Sequence, residues 1–390
     1  MGKKVVIIGG GVAGTNAAIA VSSKDSEAEI TMISREEYLP YYRIKLTELL
    51  DTDIPMDKLS IKKKSWYEDK KINLILGKEV DLIDSKNKKV ILDDKEEFPY
   101  DSLVIATGAN CFVPPFENRE LENIVVIREL KGTLEIKENC KSCKKAVIIG
   151  GGVLGLEAAW GLKNLGLEVS VLEVMPRIMP RQLDEKASEI LEEIIISSGI
   201  NIYKNVKVKG FAGDKKVEKV ILEDRELDAD LVIVSAGIRP NISFEIDEKL
   251  DINRGIVVDE KMQTSLSDIY ACGDIAEYNG KIIGLWTTGM EQGRVAGASI
   301  CQEDKKYMET VQPLTFEGMN TKLLSVGEIS SDDNYLVEFD DEKKIYKKLV
   351  FKDEVLKGAI LIGDTSKQVA IVKGVREGIS KKDILSKIYV

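Results

Sequence analysis

The chain has no histidine in 390 residues. That absence excludes histidine-dependent nucleophilic triads, histidine metal sites and imidazole acid–base chemistry. An enzyme under this restriction leaves the hard chemistry to a cofactor. Cysteine is also scarce: there are five, an odd number, which argues against a disulfide framework and for a reducing compartment. No apolar run is long enough to span a bilayer, so no membrane partner is expected. Positive charge is not in excess. Lys and Arg number 56 against 66 Asp and Glu, and the net charge of −10 argues against a nucleic-acid partner. Lys3-Lys4, the apolar run after them and Ala18-Ile19-Ala20 imitate a secretory signal. Cleavage there would delete the first glycine loop, so the expected location is cytoplasmic.

What the chain does have is a repeat. Lys3 to Ala18 returns as Lys144 to Ala159, identical at twelve of sixteen positions. Each copy is an apolar strand, then G-x-G-x-x-G, then an Ala-rich helix. Gly9 and Gly150 allow the tight strand-to-helix turn. Gly11 and Gly152 let backbone approach a pyrophosphate, and Gly14 and Gly155 let helix and strand pack closely. Free N–H groups at each helix start then face the anion. A chain with two such elements is expected to bind two nucleotides and to move electrons between them.

Both copies also end alike. Asp101 to Ile105 is an apolar strand closing on Thr107-Gly108, and Asp230 to Val234 one closing on Gly237. Pro114-Pro115 marks a linker. A helix is expected over Thr287–Ile300, and from about residue 311 short alternating strands with Asp/Lys turns follow. The fold class expected is α/β, with two Rossmann-like dinucleotide-binding domains plus a small α+β C-terminal domain. Glu173 ends the second strand of the second unit. An acid there accepts both hydroxyls of an adenosine ribose and repels a 2′-phosphate, so NADH is expected over NADPH. Arg177 and Arg181 stand nearby and pull the other way, since arginine pairs with phosphate.

The order G-x-G-x-x-G, Ala-Thr-Gly, G-x-G-x-x-G, Gly-Ile-Arg-Pro-Asn, Tyr-Ala-x-Gly-Asp resembles the FAD-dependent pyridine nucleotide-disulfide oxidoreductase superfamily over about residues 3–300. The resemblance implies an FAD-binding domain from 1–112 and 242–310, an NAD-binding domain over 113–241 and a C-terminal interface domain over 311–390. It implies FAD contacts from Gly9, Gly11, Gly14, Thr107, Gly108, Gly273 and Asp274. Asp274 would accept from a ribityl hydroxyl. Gly150, Gly152, Gly155, Glu173 and Gly237 would serve NAD, with Glu157 by the nicotinamide. Where relatives carry the FAD ribose acid, this chain has Ser34 and Arg35, and Glu36 is the nearest carboxylate.

Pro40-Tyr41-Tyr42-Arg43-Ile44-Lys45-Leu46-Thr47 is similar to the branch holding rubredoxin and ferredoxin reductases, the FAD portion of NADH-dependent nitrite reductase, and apoptosis-inducing factor. Arg43 would sit near the FAD phosphates or flavin. Some relatives have a lysine at the flavin edge where Glu48 stands here, and Lys45 is its only nearby substitute. The redox cysteine of other branches is missing: Glu37 takes its place, and the first cysteine is Cys111. Cys140-x-x-Cys143 has dithiol spacing but reads first as chance thiols in a solvated loop, and no metal site is expected. Trp286 is either a core residue or a flavin contact. The clusters Lys62–Lys64, Lys141–Lys145 and Lys343–Lys348 are solvated faces or docking sites for an acidic protein.

The expected function is an NADH-dependent flavoprotein reductase passing electrons through FAD to a small acidic redox protein such as rubredoxin. No acid, base or nucleophile is expected; Glu157 and Arg43 would orient. The alternatives are the NADH/FAD module of a larger nitrite reductase-like complex, or a non-enzymatic NADH-sensing flavoprotein. Monomer and homodimer are both open.

Overall fold

The computed structural model describes residues 2–330 and 334–389. The first repeat folds as β1 (Lys4–Ile8), α1 (Val12–Lys24) and β2 (Glu29–Ser34). Val5 to Ile8 are buried on both faces, as a central parallel strand requires. The sheet runs 269–271, 102–105, β1, β2, 73–76, with every pairing parallel. Its outer strand Ile269–Ala271 comes from the far side of the second repeat, so this layer is built from two stretches of chain. The second repeat folds as β3 (Lys145–Ile149), α2 (Val153–Asn164) and β4 (Glu168–Glu173). Its parallel sheet has the order 201–204, β4, β3, 231–234, 124–125. The two chain crossings between the units lie side by side: Ala109–Cys111 pairs antiparallel with Ile238–Pro240.

Helix α3 (Trp286–Ile300) packs on α1 at very short range. A Cβ on Gly293 would lie 2.1 Å from the Ala13 carbonyl oxygen, and one on Gly297 2.6 Å from that of Ala17. Gly293→Ala gains about 1 kcal/mol of helix propensity but forces the helices apart. The clash is expected to win, with a net loss of about 1–3 kcal/mol in a denaturant melt.

The end of the chain forms a five-stranded antiparallel sheet, order 314–318, 321–327, 355–362, 345–352, 335–340. Helices Gln368–Glu377 and Lys381–Ile388 cover one face. From the other face Leu323, Tyr346, Ile360 and Ile362 join the core of the second unit. Asp184 ties the layers together. Its carboxylate accepts from Ala187 N–H (2.9 Å) as a helix cap, from the Tyr346 hydroxyl (2.9 Å) and from Lys348 Nζ (2.8 Å).

Candidate functional site

The two glycine loops are near copies in three dimensions. Gly9 has φ +119° and Gly150 +120°, values that L side chains rarely adopt. A Cβ on either would meet a carbonyl oxygen, Ala106 at 2.1 Å or Ser235 at 2.3 Å. Gly14 and Gly155 seat the helices: a Cβ on each would lie 2.1 Å from the Gly9 or Gly150 oxygen. Gly11 and Gly152 differ in kind. A Cβ there meets nothing within 4 Å, so both face open space at a helix start. At a helix start the first N–H groups have no partner within the helix.

Beside the first loop is a cavity of about 620 Å³. It gathers Gly9, Gly11, Glu36, Arg43, Thr107, Gly108, Gly273, Asp274 and Glu157 from six separate stretches of chain. Gly14 lies beneath the loop as a packing residue. Gly150, Gly152, Gly155, Glu173 and Gly237 stand outside this cavity, around the second loop. Val153, Leu154 and Glu157 at the start of α2 reach into the cavity wall, so the two loops share a boundary. Gly237 has φ +102° and open space where a Cβ would project.

Glu36 and Arg43 form one polar cluster. Arg43 Nη2 donates to Glu36 Oε1 at 2.6 Å, and the Tyr41 hydroxyl donates to Glu36 Oε2 at 2.7 Å. Arg43 also donates to the Arg128 carbonyl and stacks on the Tyr41 ring. The Tyr41 hydroxyl in turn accepts from Leu130 N–H at 3.0 Å. Thr107 Oγ1 donates to the Asn241 carbonyl (2.7 Å), and Asn241 N–H donates to Gly108 O (2.9 Å), which stitches the two crossings together. Gly273, at φ +83°, donates its N–H to Gln292 Oε1 at 2.8 Å, so α3 sets the turn that presents Asp274.

Arg128 carries no signal in the sequence. Its Nη2 lies 3.1 Å from Asp274 Oδ2 and 3.4 Å from where a Gly108 Cβ would stand. Nothing local marks it, because its partners are 20 and 146 residues away in sequence. Thr47 was singled out only as the end of a motif. Its hydroxyl donates to Glu157 Oε2 at 2.8 Å, across the boundary between the repeats. Burial pushes the Glu157 carboxyl up, and the Thr47 bond offsets part of this. With the folded value above that of an unfolded carboxyl, the penalty for charge is absent at low pH and grows as pH rises through the folded value. Glu157→Gln is therefore expected to raise the melting temperature at about pH 7 and to change it little at about pH 4.

Glu173 is buried, and both its oxygens accept backbone N–H groups, Gly151 at 2.8 Å and Met175 at 2.9 Å. Each oxygen keeps a lone pair for a further donor. Ser34 holds the equivalent place in the first unit, beneath Gly10. Trp286 lines the cavity, as do Ile44 and Thr47, whereas Lys45 does not and Glu48 is exposed. Cys140 and Cys143 lie away from the cavity, and Cys140 is buried at the end of helix Leu130–Cys140 rather than in a solvated loop. Burial pushes the Cys140 thiol up to about 11 and the Cys143 thiol up as well. Cys272 does line the cavity but is fully buried, and burial pushes it up to about 12, so it carries no thiolate near neutral pH.

Residues 3–293 match the family described as pyridine nucleotide-disulphide oxidoreductase, and residues 314–379 match the rubredoxin NAD+ reductase C-terminal domain. A nitrite reductase [NAD(P)H] of Bacillus subtilis is 36% identical over 94% of this chain, which spans only 46% of that protein's length. An assimilatory nitrate reductase electron transfer subunit of Bacillus subtilis is 31% identical, and the chain spans 51% of it. An NADH-rubredoxin oxidoreductase of Clostridium acetobutylicum is 34% identical over 98% of this chain and 97% of its own. The crystal structure of NADH:rubredoxin oxidoreductase from Clostridium acetobutylicum superposes with a TM-score of 0.80 at 31% identity, covering 99% of this chain and 100% of the other. With its paired glycine cradles, shared boundary and a match across most of its length, this chain belongs to the pyridine nucleotide-disulphide oxidoreductase family.

Proposed function

We propose that this chain is an NADH-dependent flavoprotein reductase that passes electrons through FAD to a small one-electron carrier protein of the rubredoxin kind. The observation that carries the reading is the pair of open glycines, Gly11 and Gly152, at two helix starts whose units meet at Glu157. Each cradle fits a dinucleotide pyrophosphate, since a side chain there would occupy the space the anion needs. In this reading 1–112 with 242–310 is the FAD-binding domain, 113–241 the NAD-binding domain and 311–390 the C-terminal interface domain.

FAD, when bound, supplies an acceptor that takes two electrons together and gives them up singly. The chain's own residues bind and orient. Gly9, Gly11 and Gly14 shape the first pyrophosphate cradle, and Gly150, Gly152 and Gly155 the second. Arg43 and Arg128 place positive charge in the FAD cavity, while Glu36, Asp274, Thr107, Gly108 and Gly273 line it. Glu173 receives the adenosine ribose of NADH, and Gly237 leaves room for its nicotinamide half. Glu157, held by Thr47, orients the nicotinamide at the boundary. Leu154 and Trp286 stand in the wall at that meeting point. One NADH and two oxidised carriers yield NAD+, one proton and two reduced carriers. Sulfur takes no part, since the cavity's cysteine is a buried thiol.

The test is stopped-flow reduction of the FAD-loaded chain by NADH, followed by mixing with rubredoxin. Rapid bleaching and rapid reoxidation are expected. A chain that takes up no FAD, or whose reduced flavin is not reoxidised by rubredoxin, refutes the reading. The 46% coverage of the nitrite reductase supports a second reading, an NADH/FAD module serving a larger reductase. That reading is favoured if NADH bleaches the flavin quickly but rubredoxin restores it slowly.

A further inference from the structure

The three lysine clusters of the sequence differ in the folded chain. Lys141 pairs with Glu138 (2.5 Å) and Lys145 with Asp228 (2.8 Å). Lys343, Lys344, Lys347 and Lys348 each have a carboxylate within 3.4 Å. The first cluster is the least compensated: two of its three lysines have no carboxylate partner among the described residues, against one, Lys144, in the second. Lys64 lies 3.8 Å from Glu68 on the exposed short helix Lys64–Asp69, and Lys62 rests over the Trp66 ring at 5.3 Å. Lys63 and the neighbouring Lys58 are exposed, without a carboxylate partner among the described residues.

The backbone carries this charge to the cavity. Tyr42 N–H donates to Leu59 O (2.9 Å), Ile61 N–H donates to Pro40 O (2.8 Å), and Tyr41 bridges Ser60 between them. The lysine run therefore begins one residue beyond a strand-like pairing with the segment that bears Tyr42, Arg43 and Ile44. The Tyr42 ring lies 5.6 Å from that of Trp286, tilted by 33°, and Trp286 is part of the cavity wall. Ile44, also in the wall, is 58% exposed. An aromatic and aliphatic centre rimmed by charge is the anatomy of a protein–protein contact.

We infer that this face, with Tyr42, Ile44 and Trp286 at its centre and Lys58, Lys62 and Lys63 at its rim, docks the acidic one-electron carrier that empties the cavity. The inference rests on the reductase reading above. A chain of net charge −10 repels an acidic protein on average, so a local surplus of lysine decides where the two can meet. Each docked carrier accepts one electron across the aromatic wall, and no bond forms or breaks on this face.

The test compares K62E/K63E with K141E/K144E, which change the charge equally at two exposed clusters. Both are assayed as FAD-loaded enzyme with rubredoxin, across a range of sodium chloride concentrations. K62E/K63E is expected to raise the KM for rubredoxin about tenfold and to flatten its salt dependence. NADH bleaching of its flavin should match the native rate, and K141E/K144E should match the native enzyme throughout. The docking inference is overturned if native enzyme turns over rubredoxin and K62E/K63E does so with the same KM and salt response. It is also overturned if K141E/K144E shifts KM as much. If native enzyme is bleached by NADH but never reoxidised by rubredoxin, the reductase reading fails first and takes this face with it.

Discussion

Gly11→Val is expected to give a folded chain that no longer retains FAD, and Gly152→Val a folded chain that retains FAD but is not bleached by NADH. Both glycines have ordinary extended backbone, φ −79° and −87°, so valine is not strained there. Both face open space, and a new Cβ meets nothing within 4 Å. What the new side chains fill is the approach to the helix N–H groups, and a bound pyrophosphate must then move or be lost. An overpacking penalty of about 1–3 kcal/mol or more corresponds to a loss of affinity of about fivefold to over a hundredfold. Flavin absorbance after gel filtration reads the first variant, and NADH bleaching reads the second. Gly14→Val is the contrasting control: its Cβ meets the Gly9 oxygen at 2.1 Å, so it should lower the melting temperature as well as FAD retention. If Gly152→Val is bleached by NADH at the native rate, the second loop is not the coenzyme site.

NADPH is expected to bleach the flavin with a kcat/KM about a hundredfold below that of NADH, close to 3 kcal/mol of discrimination. In the proposed reading the cause is Glu173, whose carboxylate is fixed by Gly151 and Met175 N–H groups and would repel a 2′-phosphate. Arg177 works against this preference less than its charge alone would, because its Nη2 already donates to the Pro180 carbonyl at 3.2 Å. Glu173→Gln removes the charge and sets an amide NH2 against one of those N–H donors. The preference should then shrink to about tenfold or less, and the kcat/KM for NADH should fall too, since the loop loses an acceptor. Equal use of both coenzymes by the native chain would reject this account.

The match between expectation and fold is uneven in an instructive way. The repeat predicted two strand–loop–helix units, and β1-α1-β2 and β3-α2-β4 form with the same glycine conformations. The helix expected at Thr287 begins at Trp286, and the end segment forms a single antiparallel sheet. From Arg43 to Leu50 the chain forms two short 3₁₀ turns. The expectation that Cys140 and Cys143 belong to a solvated loop is corrected: the first closes a helix and is buried, because Ile136 and Cys140 complete the core beneath β3.

From its sequence alone, then, this protein's two strand–glycine loop–helix units were legible. The positive φ of Gly9 and Gly150 and the clash that a Cβ on Gly14 or Gly155 would make with the oxygen of the loop's first glycine are demands made within six residues, so they leave a pattern in the chain. The exclusion of histidine and of the early redox thiol was equally plain, because an absent residue is absent in any fold. Folding alone decided that Arg128 meets Asp274, that Thr47 reaches Glu157, and that of three lysine clusters only Lys62–Lys64 stays largely uncompensated beside the aromatic wall. Those outcomes depend on groups tens to more than a hundred residues apart, brought together by sheet order and helix packing, and no short stretch of sequence encodes them.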